Sequence, residues 1–467
     1  MEELIKKNEK SSQKISRRDF ITKSSAAAAA FMIVPRYVLG GPGYTAPSDK
    51  INIAAIGVGG KGRSDIAAVA TENIVALCDV DDVKLFDTIK RAGEWAEEKG
   101  LSENPLAKVP RYKDFREMLD KQKDIDAVTV STPDHFHAVA AITAIKQGKH
   151  AFVQKPLTYS VDEAQKLSAA AKKAGVVTQM GNQGQAGEGI RLIGEWLKDG
   201  AIGEVREVHC WTNRPIWDTG MNRPAEIPSV PPTLDWNQWI GPAPFRPYHP
   251  DYAPWSWRAW CDFGTGALGD MGAHIFDIPY HTLKMDHPTS VFASSSKFNG
   301  ESWPVASTIY YEFPQRGSLP PVKLTWYDGG IMPSRPEGIE PGRRMGDGDG
   351  GIMFYGDKGM IMCGCYGRNP RLVPETSMKE YQRPPKTLPR SPGIHEEWVQ
   401  CIKESKQASS NFDYAARLTS TMLLGNIAIR MAPRSTKLEW DGIAGKFTNM
   451  DEANDYLGRE YRNGWSL

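Results

Sequence analysis

Two kinds of hydrophobic patterning alternate along the first part of the chain. Short apolar, β-branched runs at residues 51–56, 74–78, 126–131, 150–153 and 176–180 have the length and composition of buried strands. Between them, residues 83–99, 112–122, 138–147 and 161–173 space their apolar positions three and four apart. This predicts helices, the third stopped by Gly148 and the fourth by Gly175. Strand and helix in strict alternation predict an α/β fold with a doubly wound parallel sheet.

Past Gly181 the pattern changes. A helix is predicted over 187–198 and a strand over 204–213, opening a stretch dense in Trp and Pro. Strand-like runs at 291–296, 307–313, 322–326, 351–355 and 360–363 then predict a mostly antiparallel sheet. Helices over 394–403 and 414–431 close the body, and the glycine- and charge-rich stretch 341–351 reads as an exposed loop. No internal repeat is present.

The first 45 residues stand apart. Ser16-Arg17-Arg18-Asp19-Phe20-Ile21 precedes an apolar run over 26–34 and small residues near Gly40 and Gly41, a series resembling a twin-arginine export signal. The run is too short for a stable membrane span, and no cysteine follows it for a lipid anchor. The expected location is therefore the periplasm. Export in the folded state lets a cofactor be loaded first, and outside the inner membrane a tightly held dinucleotide is the economical arrangement. The remaining roughly 420 residues exceed what one core usually supports. The division read here is a signal and linker over 1–45, a dinucleotide-binding domain over 46–181 and an α+β substrate domain over 182–467.

Charge is balanced, with 57 basic and 56 acidic residues, and no basic stripe follows the leader. This argues against a nucleic-acid partner. Six cysteines are scattered without zinc spacing, so no metal site is read from them and no disulfide is assigned.

The first strand runs directly into Gly57-Val58-Gly59-Gly60-Lys61-Gly62, with G-x-G-x-x-G spacing. In a dinucleotide fold Gly57 permits the tight turn, Gly59 the approach of backbone to pyrophosphate, and Gly62 close packing of helix on strand. The phosphates then meet the free N–H groups of the helix start. The second strand ends in Asp79, placed to meet the adenosine ribose. Its carboxylate favours NAD, while Lys61 and Arg63 leave NADP open. A parallel strand with a plain glycine turn is the alternative reading.

Two further strand ends carry chemistry. Ser131-Thr132-Pro133-Asp134-His135-Phe136-His137 lies at the crevice edge where doubly wound sheets bind ligands. The strand at 150–153 leads through Gln154 into Lys155-Pro156, where a lysine could reach both nicotinamide and substrate. On spacing alone Lys155 reads equally as a surface lysine.

Taken together, the glycine loop, Cys78-Asp79-Val80, Thr132 to His137, Gly148-Lys149-His150, Lys155-Pro156 and the later Gly264-Thr265-Gly266-Ala267-Leu268-Gly269-Asp270-Met271-Gly272-Ala273-His274 resemble the glucose-fructose oxidoreductase, inositol dehydrogenase and MocA family of NAD(P)-dependent enzymes. The resemblance covers essentially all of the chain after the leader. It implies a Rossmann domain followed by a domain built on a large antiparallel sheet, which receives a sugar or glycoside and often joins copies into homo-oligomers. By the same resemblance Gly57, Gly59, Gly60, Lys61, Gly62, Arg63, Asp79, Ser131, Thr132, Pro133, His135, His137, Lys155 and Pro156 belong to the cofactor site. The catalytic residues fall on Lys155, Asp270 and His274.

Asp270 and His274 are four apart, so a helical turn sets both on one face, although the same spacing also suits a cap and a core histidine. In the functional reading His274 is the general base, Lys155 supports the developing alkoxide, and Asp270 orients the imidazole or bonds a neighbouring hydroxyl. Asn182, Gln183, Trp257 and Arg258 are candidate substrate or nicotinamide contacts, and polar capping or domain packing accounts for them equally well. The family usually has Glu before the lysine; here it is Gln154. The tryptophans suit stacking on sugar rings, with packing the better reading for most.

The function read from these residues is hydride transfer between a sugar ring carbinol and a tightly bound nicotinamide. Two alternatives are carried: an NAD-dependent glycoside hydrolase working by transient oxidation and elimination, and a sugar-binding protein that has lost turnover.

Overall fold

A computed structural model describes residues 49–467; the twin-arginine stretch lies outside the described residues. Six strands form a wholly parallel sheet: β1 (Asn52–Ile56), β2 (Asn73–Cys78), β3 (Arg111–Tyr112), β4 (Ala127–Val130), β5 (His150–Val153) and β6 (Thr178–Met180). Their order is β3-β2-β1-β4-β5-β6, and each neighbouring pair is parallel. This is the doubly wound arrangement. Its topological switch lies between β1 and β4, whose carboxyl ends carry Gly57 and Ser131. Every residue of β4 is buried, as a sheet covered on both faces requires.

The second sheet has nine strands: β7 (Val205–Thr212), β8 (Ser290–Ser295), β9 (Ser307–Phe313), β10 (Val322–Tyr327), β11 (Gly350–Gly356), β12 (Gly359–Gly364), β13 (Arg371–Val373), β14 (Leu438–Asp441) and β15 (Lys446–Phe447). The order is β13-β12-β11-β7-β10-β9-β8-β14-β15. Only β7 and β10 pair in parallel. Along β9 buried residues alternate with more exposed ones, so one face packs on helices and the other turns outward, where Phe292 and Tyr310 stack.

One helix ties the two sheets together. Phe412–Met431 is buried along nearly its whole length, and a helix apolar on all sides belongs inside a protein. It packs against the helices Val161–Ala174 and Gly266–Ile275 and against β8. Its Thr419 accepts from Leu157 N and its Asn426 donates to Thr265 O. The preceding helix Ile394–Glu404 returns to the parallel sheet, stacking His395 on Phe152.

Several boundaries differ from the sequence expectation. The helix expected over 112–122 begins only at Phe115. Asp114 caps it by accepting from Arg116 N, and Arg111–Tyr112 has already joined the sheet as β3. The 341–351 loop is largely exposed, but Met345 is buried in a cluster with Trp211 and Ile339, and Gly350 starts β11. The Trp-rich stretch folds into a core of its own, in which Trp217, Trp236, Trp239, Trp257 and Trp260 surround Tyr252 and Phe263. Among the described residues no helix is long and apolar enough to cross a membrane.

Candidate active site

A cleft of about 670 Å³ opens along the carboxyl ends of β1, β2, β4 and β5. Its floor is the glycine loop. Gly57 has φ of +78°, and a Cβ there would lie 2.7 Å from the Ser131 carbonyl oxygen; a Cβ on Gly62 would lie 1.9 Å from Gly57 O. Neither position can hold a side chain without moving backbone. The helix Lys61–Ala68 begins directly after Gly60, with no side-chain cap; Gly62 N donates to Gly59 O at 2.9 Å, and the positive end of the helix dipole faces the space where an anion would sit. Around Gly60 a Cβ would meet nothing within 4 Å. A tight turn, an uncapped helix start and open space above it fit a pyrophosphate.

Asp79 Oδ2 accepts from Val58 N and Gly59 N at 2.9 and 3.4 Å, and Oδ1 accepts from Asp81 N. The carboxylate thus holds the glycine loop in shape and keeps acceptor capacity for a ribose diol. Burial raises its pKa, against those three N–H groups. Arg63 turns away to pair with Asp87 at 2.5 Å and is not in the cleft lining.

Gly57, Gly59, Gly60, Lys61, Asp79, Ser131, Thr132, Pro133, Lys155, Trp257, Arg258 and Asp270 all line the cleft. Gly62, His135, His137, Pro156, Asn182, Gln183 and His274 do not. His135 is fully buried, its ring nitrogens 3.2 and 3.0 Å from the carbonyls of Phe263 and Trp239, and burial lowers its pKa to about 3. His137 likewise lies between the carbonyls of Pro156 and Thr132. Both histidines shape the crevice wall from behind. Asn182 is buried with its amide unpartnered, and Gln183 Oε1 is also buried without a partner.

The structure brings Lys155 and Asp270 together. Lys155 Nζ donates to Asp270 O at 2.7 Å and to Oδ1 at 2.8 Å. Arg258 Nε lies 3.4 Å from the same carboxylate and Arg214 Nε 3.7 Å. Burial would raise the Asp270 pKa, but the charges of Lys155 and Arg258 hold it well below the usual carboxylate range. Arg258 is itself set beside the rings of Trp255 and Trp257, 4.6 and 4.2 Å from their centroids.

His274 sits one turn after Asp270 on the helix Gly266–Ile275. It is 2% exposed, and burial together with the Lys155 charge pushes its pKa well below the ordinary histidine value. A neutral imidazole is the form that accepts a proton. No hydrogen bond joins it to Asp270. The ring instead lies against Tyr366, with centroids 4.5 Å apart. The helix is tied to the crevice edge by Asp134, which accepts from Thr265 N and Oγ1 at 3.0 and 2.6 Å.

Asp65, Arg214 and Tyr366 were not singled out from the sequence. Asp65 carries a signal, since it lies one helical turn after Lys61 in the glycine-loop helix. Buried completely, it accepts from Lys61 Nζ, Ser131 Oγ, Gln154 Nε2 and His395 Nε2. Gln154 therefore faces Asp65, not Lys155.

Residues 51–182 match the model of an oxidoreductase family with an NAD-binding Rossmann fold, and residues 204–313 match that family's C-terminal alpha/beta domain. The chain is 35% identical over 124 residues to a glycosyl hydrolase family 109 protein of Solibacter usitatus, which covers 26% of this chain and 27% of that one. It is 26% identical over 166 residues to the levoglucosan dehydrogenase of Pseudarthrobacter phenanthrenivorans, covering 35% and 34%. These matches span less than half of either relative. A solved levoglucosan dehydrogenase in complex with NADH and levoglucosan superposes with a TM-score of 0.53 at 17% identity, over 83% of this chain and 99% of that one, which is a likeness of fold. With both domain models matched in order on a parallel NAD-binding sheet and a mostly antiparallel second sheet, the chain belongs to the Gfo/Idh/MocA oxidoreductase family.

Proposed function

We propose that the protein is an exported oxidoreductase moving hydride between a ring carbinol of a sugar or glycoside and a tightly held NAD. Residues 46–181 serve the dinucleotide and 182–467 the sugar. The observation carrying this reading is the Lys155–Asp270 pair at the mouth of the dinucleotide cleft, with the neutral His274 one helical turn away. Bound nicotinamide supplies the hydride acceptor. His274 takes the hydroxyl proton, and Lys155, paired with Asp270, faces the oxygen as negative charge develops there. Asp79 at the ribose end, with Arg63 engaged by Asp87, supports NAD over NADP. Association of copies through the outward sheet face at Phe292 and Tyr310 is part of the same reading.

The family 109 relative supports a second reading, glycoside cleavage without net redox. Oxidation at one ring carbon acidifies the neighbouring C–H, so that the aglycone leaves by elimination. The deciding experiment purifies the exported protein without added cofactor, denatures it and weighs the released dinucleotide. It then presents p-nitrophenyl glycosides and levoglucosan, following nicotinamide absorbance and nitrophenol release in parallel. Absorbance change with bound NAD supports the first reading. Nitrophenol release without net absorbance change selects the second, and neither signal across the panel leaves a binding protein. Replacing Arg17 and Arg18 by Lys is expected to retain the protein in the cytoplasm; continued export would overturn that assignment.

A further inference from the structure

A histidine that accepts a proton is ordinarily aimed by a hydrogen bond from its other ring nitrogen to a carboxylate or carbonyl. His274 lacks that bond. Its Nδ1 is buried without a partner, and the Asp270 carboxylate is engaged by Lys155, Arg258 and Arg214. What touches the imidazole is the ring of Tyr366, 4.5 Å away between centroids and inclined at 49°.

Tyr366 lies in the turn Cys365–Gly367 after β12, with φ of 62° and ψ of 15°. This left-handed region is costly for an aromatic residue, and such strain persists only where the surroundings enforce it. Here the neighbouring backbone does so. A Cβ on Gly184 would lie 3.2 Å from Tyr366 Cα, and one on Gly189 would lie 1.9 Å from Gly367 O. The segment 183–189 and the tyrosine turn are thus in contact main chain to main chain. The Arg368 guanidinium lies 4.5 Å from the tyrosine ring centroid.

We infer that Tyr366 is the positioning residue for His274: its ring, presented by a left-handed turn clamped against the segment 183–189, fixes the imidazole in place of the absent carboxylate bond. This rests on the reading of His274 as proton acceptor. The charged groups acting on the imidazole are Lys155, Asp270, Lys61 and Arg214; those acting on the tyrosine are Asp349, Arg368 and Asp270, beside the Cys365 thiol. None of them is altered in the variants that test it.

A merely structural tyrosine and a positioning one respond differently to Tyr366→Gly and Tyr366→Asn, since both residues accept a left-handed backbone. Tyr366→Phe keeps the ring. The test uses the full chain loaded with NAD and labelled with 15N in histidine, with His274→Ala identifying the His274 signal. In the wild type and Tyr366→Phe a single imidazole form is expected that resists protonation well below the ordinary histidine midpoint of about 6.5. In the Gly and Asn variants the signal broadens or splits and its midpoint rises by about one pH unit or more, without loss of thermal stability. On a p-nitrophenyl glycoside turned over by the wild type, kcat falls on the order of 10²-fold, KM changes little, and Phe restores it. An unchanged His274 signal in both variants would overturn the inference. So would unfolding of both, which would make the ring a structural support. Undiminished turnover by His274→Ala would instead remove the proton-acceptor reading and leave the tyrosine–imidazole result standing.

Discussion

The side-chain amide of Gln154 donates to both carboxylate oxygens of Asp65, at 3.1 and 2.9 Å. The residue before Lys155 is thereby a donor, and the carboxylate stands across from it on the glycine-loop helix. Gln154→Glu would set two carboxylates against each other in a buried place. A loss of about 1–3 kcal/mol is expected, read by denaturant unfolding, with weaker NAD binding by titration calorimetry. Adding Asp65→Asn restores a donor facing an acceptor and should recover most of the stability. A double variant no better than the single one would mean that the other partners of Asp65 dominate.

Asp65 also sets an acid limit. Burial raises its pKa, but His395 and Lys61 lower it further, to a net value below the ordinary one. A carboxyl depressed in the folded state contributes stability above its unfolded value of about 3.9, and that stability is lost as pH falls through the folded value. Thermal scans from pH 5 downward should show a drop that is smaller in Asp65→Asn. Parallel curves for the two proteins would remove Asp65 from the acid transition.

Asp277 works in the opposite sense. Burial raises its pKa to about 7, against the hydrogen bond from Tyr414 at 2.7 Å. A carboxyl raised in the folded state contributes stability that is fully present below its unfolded value, and that contribution is lost as pH rises through about 7. Asp277→Asn keeps an acceptor for the tyrosine hydroxyl and should be more stable than wild type at pH 8 but not at pH 4. Equal melting temperatures at pH 8 would contradict it.

His274→Ala is expected to lower turnover by roughly 10²–10⁴-fold while leaving dinucleotide bound. Because burial and Lys155 keep the imidazole neutral, the acid limb of kcat/KM should lie below the ordinary histidine value. A wild-type profile falling with a midpoint near 6.5 would place a different, solvated histidine in the mechanism.

Gly62→Ala drives a methyl into the Gly57 carbonyl, and a cost of about 1–3 kcal/mol is expected, together with loss of NAD from the purified protein. Retained stoichiometric NAD would show that the loop can move aside.

The parallel sheet and the glycine loop were legible because their signals are local: apolar runs of strand length, then a turn that only glycine can make. Asp79 was found by its distance from Gly57, which the strand–helix–strand unit fixes. The partnership of Asp65 with Gln154, 89 residues apart, follows only from packing, and Tyr366 depends on a turn whose neighbour in space is the segment 183–189. His135 and His137 show the converse. Their place at the crevice edge was readable, but three of the four carbonyls that engage their rings, those of Phe263, Trp239 and Pro156, come from other parts of the chain. The short pairing of β14 with β8 likewise left no periodicity long enough to read.

The helix Phe412–Met431, buried on all sides between the two sheets, bears on how the protein is made. During synthesis the glycine loop emerges early, yet its buried Asp65 awaits His395, and the Thr265 turn awaits Asn426. Both halves of the site stay unfinished until the last part of the chain leaves the ribosome, so a truncated product would carry every cofactor-loop residue and still lack the scaffold that holds them in register.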